Sequence, residues 1–337
     1  MTIKDIAERC GVSVSTVSRV LNNHPDVSAA NRERVMAVVE SSHYVPNNSA
    51  RDLVKPQSDT IGLVVRGAGN PFFTGIIPVI EQAVHGAGYT LVLHQIRPGE
   101  DELRAGAELA RSKRLRGLIL LGGCSDYTKD QAALPGIPFV CCTYTNSFGT
   151  LKDTTYSSVT IDDRASAYRA VKHLVDAGHR KIAILLPSAE DRSISQLRWL
   201  GYRQALEESG IPFDPDLVQE TNSFEMPAAY ESTLRLLERR KDFTGLFVIS
   251  DSMAVAAMRA LHDRGKRVPE DCSVVAIDGI DMSAYVVPAL TTLVQPQKEL
   301  GENAVRLLVD ILKGSAGNRH LLLETGLRTG GSVSLAK

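Results

Sequence analysis

The sequence has no apolar run of the roughly 18 to 20 residues that crossing a bilayer requires. Its start, MTIKDIAERC, is polar and helix-like, where an export signal would place a basic stretch before a greasy one. Secretion and membrane insertion are therefore not expected, and the expected location is the cytoplasm. Cysteine is sparse: Cys10, Cys124, Cys141, Cys142 and Cys272 are an odd set without the repeated spacing of a metal site, so neither a disulfide framework nor bound zinc is indicated. An excess of one charge is also missing. With 38 basic and 39 acidic side chains the net charge is −1, which excludes a bulk polycation that holds nucleic acid by charge alone. Any such binding has to be local. There is no long low-complexity tract and no short tandem repeat. What remains is 43% hydrophobic and 23% charged, the balance of a globular protein with a sizeable core. At 337 residues it is long enough for two or three domains.

The pattern changes near Asp59. Before it only helical periodicity is present, and Lys55-Pro56-Gln57-Ser58-Asp59 reads as a polar, proline-interrupted linker. After it short aliphatic runs (Ile61 to Val65, Thr90 to Leu93, Leu118 to Leu121, Phe139 to Cys142, Ile182 to Leu186, Leu246 to Ile249, Val274 to Ile277) alternate with amphipathic stretches such as Ala165 to Ala177, Leu197 to Ser209 and Met253 to Arg264. Repeated βα alternation predicts doubly wound parallel sheets covered by helices. The region is too long for one open sheet, and a division near Val159 to Asp163 gives two similar α/β lobes. Ligands in such folds sit at the carboxyl ends of the strands, so the expected site is a cleft between the lobes. The expected domains are an all-α head over 1–45, a short helix and linker over 46–59, and a two-lobed α/β core over 60–337.

In the head, Thr2 is placed to cap a helix from Ile3, with Asp5 in the capping-box position and Ile3, Ile6, Ala7 and Cys10 on one apolar stripe. Gly11 ends that helix, and Ser13 caps a second from Val14 to about Asn22, with Val17, Val20 and Leu21 inward. A third, capped by Ser28, runs from about Ala29 to Ser42 around Val35, Val38 and Val39. The tight Gly-Val-Ser turn gives the helix-turn-helix spacing, in which the first residues of the second helix meet base edges in the major groove. Those residues are Val14 and Ser15, with Ser18, Arg19 and Asn22 a turn or two later. Valine supplies a methyl contact to thymine, serine donates or accepts, and arginine bonds a guanine edge in bidentate fashion. No acidic residue occurs from Cys10 through Pro25, so phosphates approach this stretch without repulsion. Then Pro46-Asn47-Asn48-Ser49-Ala50-Arg51-Asp52-Leu53 makes a short helix-like stretch that is marginal in isolation and needs a partner to fold on.

The run TIKDIAERCGVSVSTVSRVLNNHPDVSAANRERV, followed by YVPNNSARDL, closely resembles the DNA-binding head and hinge helix of the LacI family of bacterial transcription regulators, and the resemblance continues to near the carboxyl end. It implies a homodimer on a near-palindromic operator, with Leu53 wedged into the minor groove and Ala50 packed beside it; unstacking a base step costs on the order of a few kcal/mol, offset by the contacts that bent DNA allows. It also implies an effector core similar to type I periplasmic sugar-binding proteins. Within that core Phe72 and Phe73, in Asn70-Pro71-Phe72-Phe73, match the loop whose aromatic contacts the effector. Arg198 corresponds to a ligand-binding arginine, Phe224 to an aromatic packed on the ligand, and Asp278 to an aspartate that takes hydroxyls or ring nitrogens. Ser250 and Gln295 sit at further pocket positions, and Arg192 at a position used in the purine-responsive branch. Such side chains suit a polar small molecule, with a sugar or sugar derivative favoured and a purine-like corepressor as the alternative. One departure matters: where many sugar-responsive members carry an aspartate or arginine after the fourth strand, this chain has Thr143, preceded by Cys141 and Cys142.

Other classes fit less well. Cys141 or Cys142 with His173 or His179 would be a nucleophile and base, yet nothing in the spacing brings them together. Gly67-Ala68-Gly69 lacks the third glycine of a dinucleotide fingerprint, and Asn70-Pro71 would interrupt its helix, so no cofactor is inferred. A solute receptor for a transporter would share the core but carry an export signal and no such head. An effector-controlled repressor without catalytic activity is the expectation.

Overall fold

The structure, a computed structural model, describes residues 2–21, 24–42, 58–67, 69–97 and 99–336. Asn22, Ala50, Leu53 and the expected hinge stretch 46–53 lie outside them. The chain divides into two compact bodies, Met1–Ser58 and Asp59–Lys337.

The head has three helices: α1 (Ile3–Cys10), α2 (Val14–Leu21) and α3 (Ala29–Ser41). Thr2 and Asp5 close a reciprocal capping box on α1, and Gly11 ends it at φ 60°, a left-handed conformation that a β-carbon would strain. Ile6, Ala7, Cys10, Val17, Val20 and Val35 form the small core, with Ile3, Leu21, Val38 and Val39 packed at its rim.

The second body has two lobes, each built on a six-stranded sheet. In lobe 1, β1 (Thr60–Arg66), β2 (Thr90–Ile96), β3 (Gly117–Leu121), β4 (Phe139–Cys142), β5 (Ser157–Ile161) and β11 (His320–Leu323) run in the order β11-β5-β4-β3-β1-β2, all parallel. In lobe 2, β6 (Ile182–Leu186), β7 (Val218–Glu220), β8 (Gly245–Val248), β9 (Ser273–Asp278), β10 (Thr291–Val294) and β12 (Gly326–Arg328) repeat that order as β12-β10-β9-β8-β6-β7, with only β12 antiparallel. Lobe 1 carries α4 (Pro71–Gly86), α5 (Glu102–Lys113), α6 (Lys129–Ala133) and α11 (Gln297–Leu312); lobe 2 carries α7 (Asp163–Asp176), α8 (Ile194–Glu208), α9 (Met226–Arg239) and α10 (Asp251–Asp263).

The single division expected near Val159 to Asp163 is corrected here: the chain crosses between lobes three times. It passes to lobe 2 between β5 and α7, returns between β10 and α11, and crosses again between β11 and β12. Helix α11 packs on α4 and on β3, β4 and β5, far from its neighbours in sequence. The later crossings escape a periodicity reading because β10, β11 and β12 are four, four and three residues long and the last two are largely solvated.

Candidate functional site

In the head, burying Val17 and Val20 turns the opposite face of α2 outward. Val14, Ser15 and Arg19 are exposed and Ser18 is half-buried. Ser13 starts the helix by accepting from the Thr16 backbone N–H at 3.1 Å, so the first turn is fixed before any partner arrives. The turn after α2 is fastened by Arg32, whose Nη2 donates to the His24 carbonyl at 2.7 Å. The result is a rigid helix presenting a methyl pair, hydroxyls and one guanidinium without a carboxylate among them.

In the core, residues that follow β3, β4 and β5 come up against the start of α8, and α7 and α8 lie against each other beside them. Their close approach depends on Gly201, where a β-carbon would overlap the Arg164 carbonyl oxygen and lie 2.8 Å from the Ala167 methyl. Three residues earlier on α8, Arg198 is turned inward and is only 1% exposed. Its Nε donates to Asp163 Oδ1 at 2.8 Å, and Nη1 donates to the Ile249 carbonyl and lies 3.5 Å from Asp278 Oδ1. Asp278 accepts a further bond from Gln295 Nε2 at 2.8 Å. Behind it, Asp251 accepts from the backbone N–H groups of Gly279 and Ile280 at 2.9 and 3.0 Å and from the hydroxyls of Ser283 and Thr292.

Burial sets the electrostatics of this cluster. It works against the charge of Arg198, but Asp163 and Asp278 outweigh it and hold the guanidinium protonated. Burial pushes the Asp278 carboxyl up to about 7, against the pull of Arg198 and with the push of Asp251. Asp163 and Asp251 are raised for the same first reason. The group offers fixed donors and acceptors and one carboxyl poised to exchange a proton.

Lobe 1 contributes a different set. Glu102, at the start of α5, accepts from the Cys124 backbone N–H at 2.6 Å and from the Tyr127 hydroxyl, and it lies 3.5 Å from Arg66 Nη1. Tyr127 and Tyr144 share a hydrogen bond at 2.8 Å. Burial raises the Glu102 carboxyl, with Tyr127 and Arg66 pulling it down. The lobes touch directly where the Ser125 N–H donates to the Arg192 carbonyl at 3.0 Å. A cavity of about 200 Å³ opens beside this contact, lined by Ser125, Tyr144, Thr145, Asp163, Ile194 and Leu197 among others. Among the described residues, no group of three or more His, Cys, Asp or Glu side chains is arranged to hold a metal ion.

Comparison with known proteins agrees with this geometry from both ends of the chain. Residues 2–47 match the family described as bacterial regulatory proteins, lacI family, and residues 171–333 match a periplasmic binding protein-like domain. The HTH-type transcriptional regulator MalR of Clostridium butyricum is 39% identical over 332 residues, covering 97% of each chain. The chain belongs to the lacI family of bacterial regulatory proteins. Among solved structures, a lac repressor dimer bound to operator and the anti-inducer ONPF superposes with a TM-score of 0.81 at 27% identity, covering 99% of each chain. A complex of the transcriptional regulator CelR with cellobiose gives a TM-score of 0.72 at 31% identity, covering 98% of this chain and 99% of that one. The chain is thus a lacI-family transcriptional regulator with a helix-turn-helix head and a two-lobed α/β core.

Placed on this lacI-family core, the expected ligand residues separate into groups. Arg198, Asp278 and Gln295 come together in one hydrogen-bonded chain. Ser250, 1% exposed, lies at the start of α10 beside that chain, its Oγ 3.4 Å from Ser252 Oγ. Phe72 and Phe73 both belong to the apolar core of lobe 1, the ring of Phe73 close over Gly122. Phe224 is half-buried against the core of lobe 2. Arg192 stands exposed at φ 47° and touches lobe 1 through its backbone carbonyl. Cys141 and Cys142 are buried in lobe 1 with thiols pushed far up by burial, while His179 bonds Thr244 and Ser334 in lobe 2. Sequence reasoning missed Asp163, Asp251, Glu102 and Arg66. For three of them a signal was available: Asp163, Asp251 and Arg66 stand at or just past the carboxyl end of an apolar strand, where α/β folds bind ligands.

Proposed function

We propose that the protein is a dimeric, cytoplasmic repressor without catalytic activity, whose grip on operator DNA is set by a sugar or sugar derivative held between the lobes. The observation that carries the effector reading is the buried chain Asp163–Arg198–Asp278–Gln295. Buried ionic groups are costly unless fully partnered, and a cleft that keeps them ready matches a ligand with several hydroxyls, each needing a donor or acceptor. The cellobiose bound by CelR is a ligand of that chemistry. In the head, Val14, Ser15, Ser18, Arg19 and Asn22 read base edges, and Ala50 with Leu53 enters the minor groove when two copies pair. The second copy has an apolar surface to cover in lobe 2, where Tyr285 and Val287 are 84% and 95% exposed. Effector binding changes the lobe posture and with it the spacing of the two linkers, which makes operator and ligand affinities reciprocal.

A thermal-shift screen of sugars, polyols, sugar acids and nucleobases, followed by operator titration with each hit, tests this. A sugar that raises the melting temperature and changes operator affinity supports the reading. Hits confined to nucleobases replace it with the purine alternative, for which the position of Arg192 is the specific argument. Arg19→Ala should cost roughly 1 to 3 kcal/mol of operator discrimination, and unchanged selectivity across mutated operators would remove its role.

A further inference from the structure

We infer that Ser125 in lobe 1 and Asp163 in lobe 2 are specificity-determining residues that admit an uncharged, hydroxyl-rich effector and turn away its phosphorylated and carboxylated forms. This rests on the reading of a sugar or sugar derivative between the lobes and narrows it to one class. Both residues line the cavity of about 200 Å³ beside the lobe contact. Ser125 is fully buried; its N–H donates to the Arg192 carbonyl, its carbonyl accepts from the Phe148 N–H, and among the described residues its Oγ has no partner. Buried hydroxyls are nearly always bonded, so one left open beside a cavity calls for a ligand. Other hydroxyls of the lining already have partners: that of Tyr144 bonds Tyr127, that of Thr145 bonds Tyr156, and Thr160 Oγ1 donates to the Ile161 carbonyl. Asp163 is open in the complementary sense. Its Oδ1 accepts from Arg198 Nε at 2.8 Å, and among the described residues no donor reaches Oδ2. An ionised carboxylate only accepts, whereas a serine hydroxyl donates or accepts, so the pair matches a ligand whose own hydroxyls do both.

Charge supplies the second argument. The buried cation beside Asp163 is Arg198, and it is already shared by two carboxylates, Asp163 at 2.8 Å and Asp278 at 3.5 Å. The cation of the lining itself is Arg164, which is exposed and donates through Nε to Gln204 on α8 at 3.0 Å. Two acids, Asp162 and Asp163, belong to the same lining. A phosphate or carboxylate in the cavity would meet both of them and no unshared buried cation, and like charges repel most where water is excluded. Ile161, Ile194 and Leu197 give the cavity an apolar side suited to the C–H face of a sugar ring.

The test is a thermal-shift comparison of matched pairs on the full-length chain: glucose with glucose 6-phosphate and gluconate, ribose with ribose 5-phosphate, and maltose, cellobiose and trehalose with their 6-phosphates. Each hit is then titrated by calorimetry into the parent chain, Ser125→Ala and Asp163→Asn. The expected result is that a neutral sugar binds and its anionic counterpart binds at least about 10-fold more weakly. Ser125→Ala should weaken the neutral sugar about 2- to 10-fold without lowering the ligand-free melting temperature, which loss of a merely structural hydroxyl would do. Asp163→Asn should narrow the gap between neutral and anionic partners; if it fails to fold for want of a partner to Arg198, the matched pairs and Ser125→Ala decide alone. An anionic counterpart bound as tightly as the neutral sugar, or parent affinity in Ser125→Ala, overturns the inference and leaves the sugar-derivative reading standing. If neither neutral nor anionic sugars bind, that reading falls and this inference with it.

Discussion

Lobe 2 encloses Arg198 between Asp163 and Asp278 with each side chain no more than 4% exposed, whereas in lobe 1 the buried Glu102 faces Arg66, which keeps 23% of its side chain in solvent. The two sheets have the same strand order, so the difference is one of side chains and not of topology. It is sharpest at one matched place. Asp278 closes β9 at φ 141°, and Thr143 follows β4 at φ 75°; one lobe offers a carboxyl where the other offers a hydroxyl. Duplicated architecture has been given unequal chemistry. Fully enclosed charge is concentrated in lobe 2, whereas lobe 1 sets phenols and hydroxyls around one half-open ion pair.

Removing the central cation should break that comparison hardest. Arg198→Met leaves Asp163 and Asp278 buried without their partner and should cost about 3 to 5 kcal/mol in urea unfolding. Glu102→Gln in lobe 1, where Arg66 reaches solvent, should cost only about 1 to 3 kcal/mol. Equal losses would mean that the lobes do not differ as argued. Gly201→Ala should come next, at about 1 to 3 kcal/mol, because the added methyl forces α7 and α8 apart; a double variant with Arg198→Met should then lose less than the sum, since both act on one contact.

The pH dependence sharpens the contrast further. An ordinary aspartate ionises near about 3.9, and Asp278 in the folded chain holds its proton up to about 7. Between those values the folded state binds the extra proton, so this group's contribution to stability is present at low pH and declines as pH rises through about 7. Melting curves of Asp278→Asn should accordingly show a flatter fall between roughly pH 4 and 7 than the parent chain; identical profiles would show that Asp278 does not titrate there. The smallest effect is expected at Thr143, a β-branched residue held in a left-handed conformation. Thr143→Asn, which tolerates that conformation better, should gain about 1 kcal/mol or less by chemical denaturation, and a lower stability would mean that the hydroxyl is needed where it stands.

Much of this was legible in the sequence. The head was open to reading because its signals are local: Thr2 with Asp5, Gly11, Ser13 and Ser28 each act within one helical turn. The strands with four or more consecutive aliphatic residues were equally plain. The lobe boundary was only partly legible, because α11 and β11 return to lobe 1 through contacts some 160 residues apart, such as Ser158 with His320, that no local pattern encodes. In the cleft, Arg198 and Asp278 came through family resemblance, while Asp163 was hidden in the acidic pair Asp162-Asp163. Asp162 caps α7 and is exposed; its neighbour turns inward to Arg198. Which of two adjacent carboxylates is buried depends on where Gly201 lets α8 approach, a tertiary fact.

The central claim is that ligand held at Arg198 and Asp278 alters the head's grip on DNA, and operator affinity of the full-length chain with and without a saturating thermal-shift hit tests it most directly. A change of about 5- to 150-fold is predicted, absent in Asp278→Ala while that variant's ligand-free affinity stays near the parent value. Operator binding that is the same with the ligand demonstrably bound, or a full response in Asp278→Ala, would contradict it.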